Sequence, residues 1–260
     1  MITDVEFKTI KENAKKFKYS NLDSYGELTD VDIICNDDKL ILLSNKWDEK
    51  THIYYAANNA DDINNFIKDI KNEIEISFVS PDFVEALESI GFAVWCNWVD
   101  FFNNDIANTP IVFKDYNAIQ FLKSDEQSYI KEAASAGADL SRGFTAEKEE
   151  WFVDWLKDND IIIVKDENIL VGICCVSIYD MGSGKTVWIR RIAVKAEYQG
   201  KGYGKTLMEQ AIVYGINKGA KRGFLAADTL NTNATALYKK CGFMPQSDSG
   251  EIVMRLNHIL

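Results

Sequence analysis

Apolar and polar positions change period several times along the chain, and the changes are clearest in the second half. Residues 125–136 carry a helical pattern. Residues 146–157 carry another, with Trp151, Phe152, Trp155 and Leu156 on one stripe and Glu147, Glu149 and Glu150 at its start. Ile161-Ile162-Ile163-Val164 is a short apolar run that predicts a buried strand. After the turn Asp166-Glu167-Asn168, residues 169–179 predict a longer strand. A second turn at 181–184 leads to a third strand, 186–194. Two hairpin connections make these three strands an antiparallel meander.

A glycine-rich turn, Gln199-Gly200-Lys201-Gly202-Tyr203-Gly204, opens the next helix, which runs to about Lys218. Leu207, Ala211 and Gly215 form one row of its apolar face, and Met208, Ile212 and Ile216 form the adjacent row. Residues 223–227 predict a strand. Residues 233–241 predict a helix with Asn233 as N-cap and Gly242 just past its end, and residues 252–256 predict a closing strand. The order α-α-β-β-β-α-β-α-β describes an α+β fold with a mixed, mainly antiparallel sheet flanked by helices. It is not a doubly wound parallel sheet.

The first half follows a parallel order. Short strands are expected at 31–34, 39–44 and 52–56, a helix at 60–71, a strand at 73–79, a helix at 81–90 ending at Gly91-Phe92, and a strand at 94–102. Setting Phe92 on Phe243 gives an offset of 243 − 92 = 151, which puts Asp82 on Asn233 and Leu87 on Tyr238. Before the helix at 60–71 stands Ala57-Asn58-Asn59, without glycine.

Composition separates the two halves further. The chain has 260 residues, 29 basic and 40 acidic, for a formal net charge of −11. Residues 1–115 hold 22 acidic and 11 basic residues (11 − 22 = −11), and residues 116–260 hold 18 of each. The polar stretch from Asn103 to Pro110 between them predicts two modules, 1–115 and 116–260. An acidic half disfavours nucleic acid and anionic membranes as partners. No apolar run reaches the roughly 18–20 residues of a membrane span. The start, Met1-Ile2-Thr3-Asp4, lacks the basic and apolar regions of a signal peptide, so a cytoplasmic location is expected. The cysteines (35, 96, 174, 175 and 241) show no CxxC spacing and predict free thiols; Cys174 and Cys175 would face opposite sides of a strand. With His52 and His258 the only histidines, no metal site is expected.

The glycine turn is where the chemistry concentrates. Backbone N–H groups at a helix N-terminus favour a phosphate, and Gly200, Gly202 and Gly204 let it approach without a Cβ in the way. Lys201 and Lys205 add positive charge. Gly204-Lys205-Thr206 is not a nucleotide P-loop, because Gln199 stands where its first glycine belongs; Gly184-Lys185-Thr186 fails likewise at Tyr179. A dinucleotide GxGxxG also fails, with Lys205 or Leu207 at its last position.

The stretch from Ile189 to Gly204 resembles the strand–loop–helix signature of the GNAT superfamily of acyl-CoA-dependent N-acetyltransferases, [Q/R]-x-x-G-x-[G/A]. Twenty-nine residues beyond Gly204, Asn233-Ala234-Thr235-Ala236-Leu237-Tyr238-Lys239-Lys240-Cys241-Gly242-Phe243 resembles that family's second signature at Asn233, Ala236, Tyr238 and Gly242-Phe243. The resemblance covers about residues 118–260. It implies acetyl-CoA as cosubstrate, with no metal. It also implies that the strand 186–194 splays from the strand 223–227, so that the pantetheine arm lies along Ile192, Ala193 and Val194. The diphosphate would then sit on Gln199, Gly200, Lys201, Gly202, Tyr203 and Gly204, with Lys205 beside it and Asn233 contacting the pantetheine. Tyr238 is implied as general acid toward the leaving thiolate, with an aromatic core position as the alternative.

The acceptor implied is a primary amine, on a small molecule or a protein. No acid lies within 186–194, where the family often has its base. Asp228, at the end of the next strand, is the best candidate, against a simple turn-capping role; Asp180 and Glu147 stand behind it. Trp151, Trp155 and Trp188 could wall an acceptor pocket. Arg190 and Arg191 are expected to alternate across their strand. The first half resembles a degenerate copy of the same fold, as in tandem family members, and would shape the acceptor site or mediate a homodimer. An unrelated cap domain is the alternative. For the whole chain, the competing function is an acyl-CoA-binding regulatory module without catalysis.

Overall fold

The computed structural model describes residues 2–28, 30–47, 49–138, 147–180, 182 and 184–256. Ala146, Met181 and Ser183, which belong to elements expected above, lie outside the described residues, as do Arg142 and His258. In chain order the elements are α1 (Asp4–Ala14), β1 (Tyr19–Ser20), β2 (Asp32–Asn36), β3 (Leu40–Trp47), β4 (Lys50–Ala57), α2 (Ala60–Ile67), β5 (Ile74–Ile76), α3 (Val84–Ser89) and β6 (Ala93–Asn103). They continue with β7 (Gln120–Phe121), α4 (Gln127–Ala138), α5 (Glu149–Trp155), β8 (Asp160–Asp166), β9 (Ile169–Asp180), β10 (Lys185–Val194), α6 (Tyr203–Asn217), β11 (Arg222–Asp228), α7 (Thr232–Lys240) and β12 (Met244–Leu256). Among the described residues, no helix is long and apolar enough to cross a membrane.

The residues fall into two compact units. One holds Met1–Asn97 with Gly250–Leu260, and the other Trp98–Ser249. Residues 98–115 thus belong with the second unit, and 250–256 of β12 with the first. The reason lies in strand pairing: Trp98–Asn103 pairs antiparallel with β11, and Met254–Leu256 pairs antiparallel with β5.

In the second unit, β8, β9 and β10 form the expected antiparallel meander, with β7 on the edge of β8. β11 then runs parallel to β10. Helix α6 lies on one face. Leu207, Met208, Ala211 and Ile212 are fully buried there against Cys174, Val176, Val187 and Ile189. Each such aliphatic side chain contributes about 1.5–3 kcal/mol by leaving water. Ile216, expected in that stripe, is 37% exposed, because α6 is then in its last turn. Helices α4 and α5 cover the other face, with Phe152, Ile173, Cys175 and Ala193 in the core. Cys174 and Cys175 therefore serve opposite cores, as strand alternation requires. All five cysteines are free.

The first unit repeats this order. β2, β3 and β4 are an antiparallel meander, α2 follows, and β5 runs parallel to β4. α1, unmarked in the sequence reading, is the added element. Thr3 caps it by accepting from the Glu6 amide, and Glu6 accepts in return from the Thr3 amide. Phe7, Ile10 and Ala14 bury against Ile41, Leu43 and Tyr54. The other face of the meander holds Leu40, Leu42, Ile63, Phe83 and Phe92. α3 begins three residues after Pro81, following a short 3₁₀ turn, so the helix is shorter than the sequence pattern suggests.

Candidate functional site

β10 and β11 hold together only at their start. Thr186, Val187 and Trp188 pair with Arg222, Gly223 and Phe224, and the ladder then ends. A bulge between Ile189 and Arg191 in the β9–β10 register bends β10 at this point. Past the bulge, Ile189–Val194 and Leu225–Asp228 line a cleft of about 440 Å³, within the size range of small-molecule sites. The splay inferred from the motifs is therefore present. The bulge also corrects the expected alternation of Arg190 and Arg191. Both guanidinium groups lie near the ring of Trp151, at 4.8 and 5.6 Å from its centroid.

At one end of the cleft is the glycine turn. Gly200 and Gly202 have φ of +75° and +94°, values that favour glycine, and a Cβ at either would meet nothing within 4 Å. Gly202 is the N-cap residue of α6, and no side chain caps that end. This contrasts with α1, α2 and α7, which Thr3, Asn59 and Asn231 cap. The first turn of α6 contains no acid. An uncapped helix start on an open glycine turn is a cradle of N–H donors that fits a diphosphate. Gly200, Tyr203 and Gly204 line the cleft; the Lys201 ammonium lies 4.7 Å from the Tyr198 ring centroid, and Lys205 pairs with Glu209 at 3.6 Å. Gln199 donates from Nε2 to the Val194 carbonyl at 3.0 Å, tying the turn to the end of β10.

α7 supplies the phenol. Tyr238 is 7% exposed and lines the cleft, with its ring edge-on to Phe101 at 6.1 Å. Burial, with Cys174 and Cys241 nearby, holds its ionisation well above the ordinary tyrosine range, so it stays protonated at neutral pH. Among the described residues its hydroxyl has no hydrogen-bond partner. The turn after it anchors the helix. The Phe243 amide donates to the Tyr238 carbonyl and the Gly242 amide to Lys239, both at 3.0 Å, with Gly242 at φ +80°. Asn103, buried, donates from Nδ2 to Thr109 Oγ1 and to the Cys241 carbonyl.

Asn233 is not the cap of α7. Asn231 is: its Oδ1 accepts from the Ala234 amide at 3.1 Å, and Asn233 is the second helical residue. Two asparagines two positions apart are indistinguishable as caps by residue type, and the tight turn at Asp228 decides between them. Both line the cleft. Asp228 is 3% exposed, lines the cleft, and accepts from the Leu230 amide at 3.1 Å. It therefore closes the turn and faces the cleft at once. Glu147 is committed elsewhere, to an ion pair with the buried Arg191 at 3.1 Å. Asp180, on the meander tip, accepts from the Gly182 amide. Trp151 and Trp155 stack at 5.3 Å and are half-buried; Trp188 meets Trp155 edge-on at 6.1 Å.

Two interactions were not foreseen from the sequence. The Arg191–Glu147 pair joins residues 44 positions apart, and no spacing rule connects them. Glu209, 5% exposed on α6, accepts the amides of Val112 and Phe113 and pins the segment after Pro110. A buried acid amid the apolar stripe of α6 was the only available signal for it. Among the described residues, no group of three His, Cys, Asp or Glu side chains could hold a metal ion.

A meander, a parallel strand that splays from it, and an uncapped glycine entry to the crossover helix together make up this site. Residues 122–243 match the acetyltransferase (GNAT) family. Among curated proteins, the mycothiol acetyltransferase of Corynebacterium glutamicum is 26% identical over 141 residues, covering 54% of this chain and 46% of that protein. The chain thus matches under half the length of that relative. A GCN5-related N-acetyltransferase from Sphaerobacter thermophilus superposes with a TM-score of 0.54 at 13% identity, over 83% of this chain and 76% of that one. A conserved protein of unknown function from Staphylococcus epidermidis gives 0.51 at 15% identity, over 89% and 96%. These two likenesses concern the fold alone.

Proposed function

We propose that the protein moves an acetyl group from acetyl-CoA to a primary amine, on a small molecule or a protein, by direct attack. The observation that carries this reading is one cleft holding three features: the uncapped glycine entry to α6, the unpaired edge of β10 beyond Trp188, and the protonated phenol of Tyr238. Acetyl-CoA, when bound, supplies an activated acyl carbonyl on a good leaving group. The amides of 199–204 hold its diphosphate, with Lys201 and Lys205 adding charge. The free edge at Ile192, Ala193 and Val194 aligns the arm as an added strand would, and an N–H there stabilises charge developing on the carbonyl oxygen. Asn233 contacts the arm from α7. Tyr238 donates its proton to the departing sulfur. Asp228 takes the proton from the attacking amine, whose ordinary pKa near ~10.4 keeps it charged at neutral pH. The name of the Corynebacterium relative agrees with acetyl transfer, while its acceptor is not carried over.

The first unit reads as a degenerate copy that does not take up the coenzyme. Leu87 stands at the Tyr238 position, and the turn after it is built identically, with the Phe92 amide on the Leu87 carbonyl and the Gly91 amide on Glu88. Its helix α2 is capped by Asn59 and opens with Asp61 and Asp62, which repel a phosphate. Titration calorimetry with acetyl-CoA and with ATP, then a free-thiol assay across amines, tests the reading. Uptake of acetyl-CoA but not ATP, with amine-dependent thiol release, is expected. No uptake of acetyl-CoA overturns it. Uptake without release above the rate of hydrolysis leaves only the non-catalytic binding module.

A further inference from the structure

The four described arginines divide three to one. Arg191 pairs with Glu147, Arg222 donates to Asn104 Oδ1, and Arg255 pairs with Glu73 and Glu75. Arg190 alone, among the described residues, has no ion pair and no side-chain hydrogen bond. It is nonetheless not a solvated surface group. Its guanidinium lies 4.8 Å from the ring centroid of Trp151, 5.6 Å from Trp155 and 5.7 Å from Trp188. It is half-buried and lines the cleft.

Its place along the cleft matters. β10 leads into the glycine turn through Val194, and Arg190 is four residues earlier. At ~3.3 Å per residue it is roughly 13 Å back along the strand, toward the end away from the diphosphate cradle. That is the end at which acyl group and acceptor meet. Counting from the Trp188–Phe224 pair, Arg190 stands two residues along β10 and Asp228 four along β11. Because the two strands run parallel, Asp228 stands level with Ile192, nearer the cradle than Arg190, and the far end of the cleft presents the Arg190 cation.

We infer that the acceptor amine carries a carboxylate and that Arg190 recognises it; this rests on the acetyl-transfer reading above. Stacking on indole rings occupies the faces of a guanidinium and leaves its N–H donors in plane, where a carboxylate is bound by two parallel hydrogen bonds. The bulge puts Arg190 and Arg191 together on the side of Trp151. Arg191 is engaged by Glu147, whereas Arg190 has no ion pair among the described residues and is left for an anionic substrate to neutralise. A purely cationic acceptor would be repelled there.

The test uses the full-length protein loaded with CoA at neutral pH, with tryptophan fluorescence as the binding readout. The probes are matched pairs: L-phenylalanine and 2-phenylethylamine, L-lysine and 1,5-diaminopentane, L-serine and ethanolamine. O-phosphoethanolamine is a fourth arm. In at least one pair the carboxylate member should bind about tenfold or more tightly. Arg190→Gln should abolish that difference and Arg190→Lys should retain part of it, with CoA uptake equal to the parent in both, which also shows that the variants fold. No pair separating, a separation that survives Arg190→Gln, or separation only for O-phosphoethanolamine overturns the inference. Protein that fails to load CoA contradicts the transfer reading and this one together; protein that loads CoA without separating the pairs contradicts this one alone.

Discussion

The amide of Phe243 donates to the carbonyl of Tyr238 at 3.0 Å, so the residue after Gly242 closes the helix on the residue that carries the phenol. The main chain can turn back this tightly because Gly242 takes φ +80°. A Cβ there would meet Asn103 Nδ2 at 2.8 Å. Gly242→Ala should therefore cost about 1–3 kcal/mol, from backbone strain and from displacement of a buried donor. Urea unfolding measures the cost, and an unchanged midpoint would contradict this account of the turn.

Tyr238→Phe removes the hydroxyl and leaves the ring that packs on Phe101. Turnover should fall by about 10²–10⁴-fold, the usual scale for a lost proton donor, with acetyl-CoA affinity unchanged. Equal turnover would assign the phenol to packing.

Gly202→Val places a β-branched side chain at φ +94°, although nothing stands within 4 Å of its Cβ. The strain falls on the turn and not on the core. Acetyl-CoA affinity should drop by at least about tenfold, while stability falls only by about 1–2 kcal/mol. Calorimetry and thermal unfolding on one sample separate the two effects.

Glu147→Ala removes the ion-pair partner of the Arg191 guanidinium, whose side chain is 3% exposed beside a partner that is 24% exposed. About 2–4 kcal/mol of stability should be lost, somewhat less than for a fully enclosed pair. Replacing both residues with leucine should recover most of it, and urea midpoints of single and double variants decide the matter.

Alkaline pH should destabilise the protein through its buried tyrosines. Tyr25, Tyr55, Tyr214 and Tyr238 all ionise above the ordinary value of 10.0 when folded, in each case chiefly because burial disfavours the phenolate. Above pH 10 the unfolded chain has released protons that the native chain keeps, so stability falls as pH rises. Below that pH the contribution is fully present. Melting temperatures between pH 8 and 11 should stay level and then drop; a flat profile through pH 11 would contradict it.

Local order alone determined much of this protein. The meander, the glycine turn, the helix after it and the Gly242-Phe243 stop each rest on contiguous residues, and turn chemistry with apolar period is a short-range property. The two signatures carried the resemblance for the same reason. The cap of α7 went to Asn231 and not Asn233, because the choice depends on where the turn from Asp228 ends. Only the tertiary structure decided the rest. The bulge at Arg190 arises from pairing between β9 and β10, and it alone brings two consecutive arginines to one indole. Arg191 needs Glu147, two residues ahead of α5 and 44 positions earlier, and Glu209 needs the amides of a segment 97 and 96 residues away. A buried charge is tolerated only with a partner, and the chain can supply that partner from any distance. The splay of β10 from β11 likewise belongs to neither strand, since it is where a parallel ladder ends after the bulge turns one edge away.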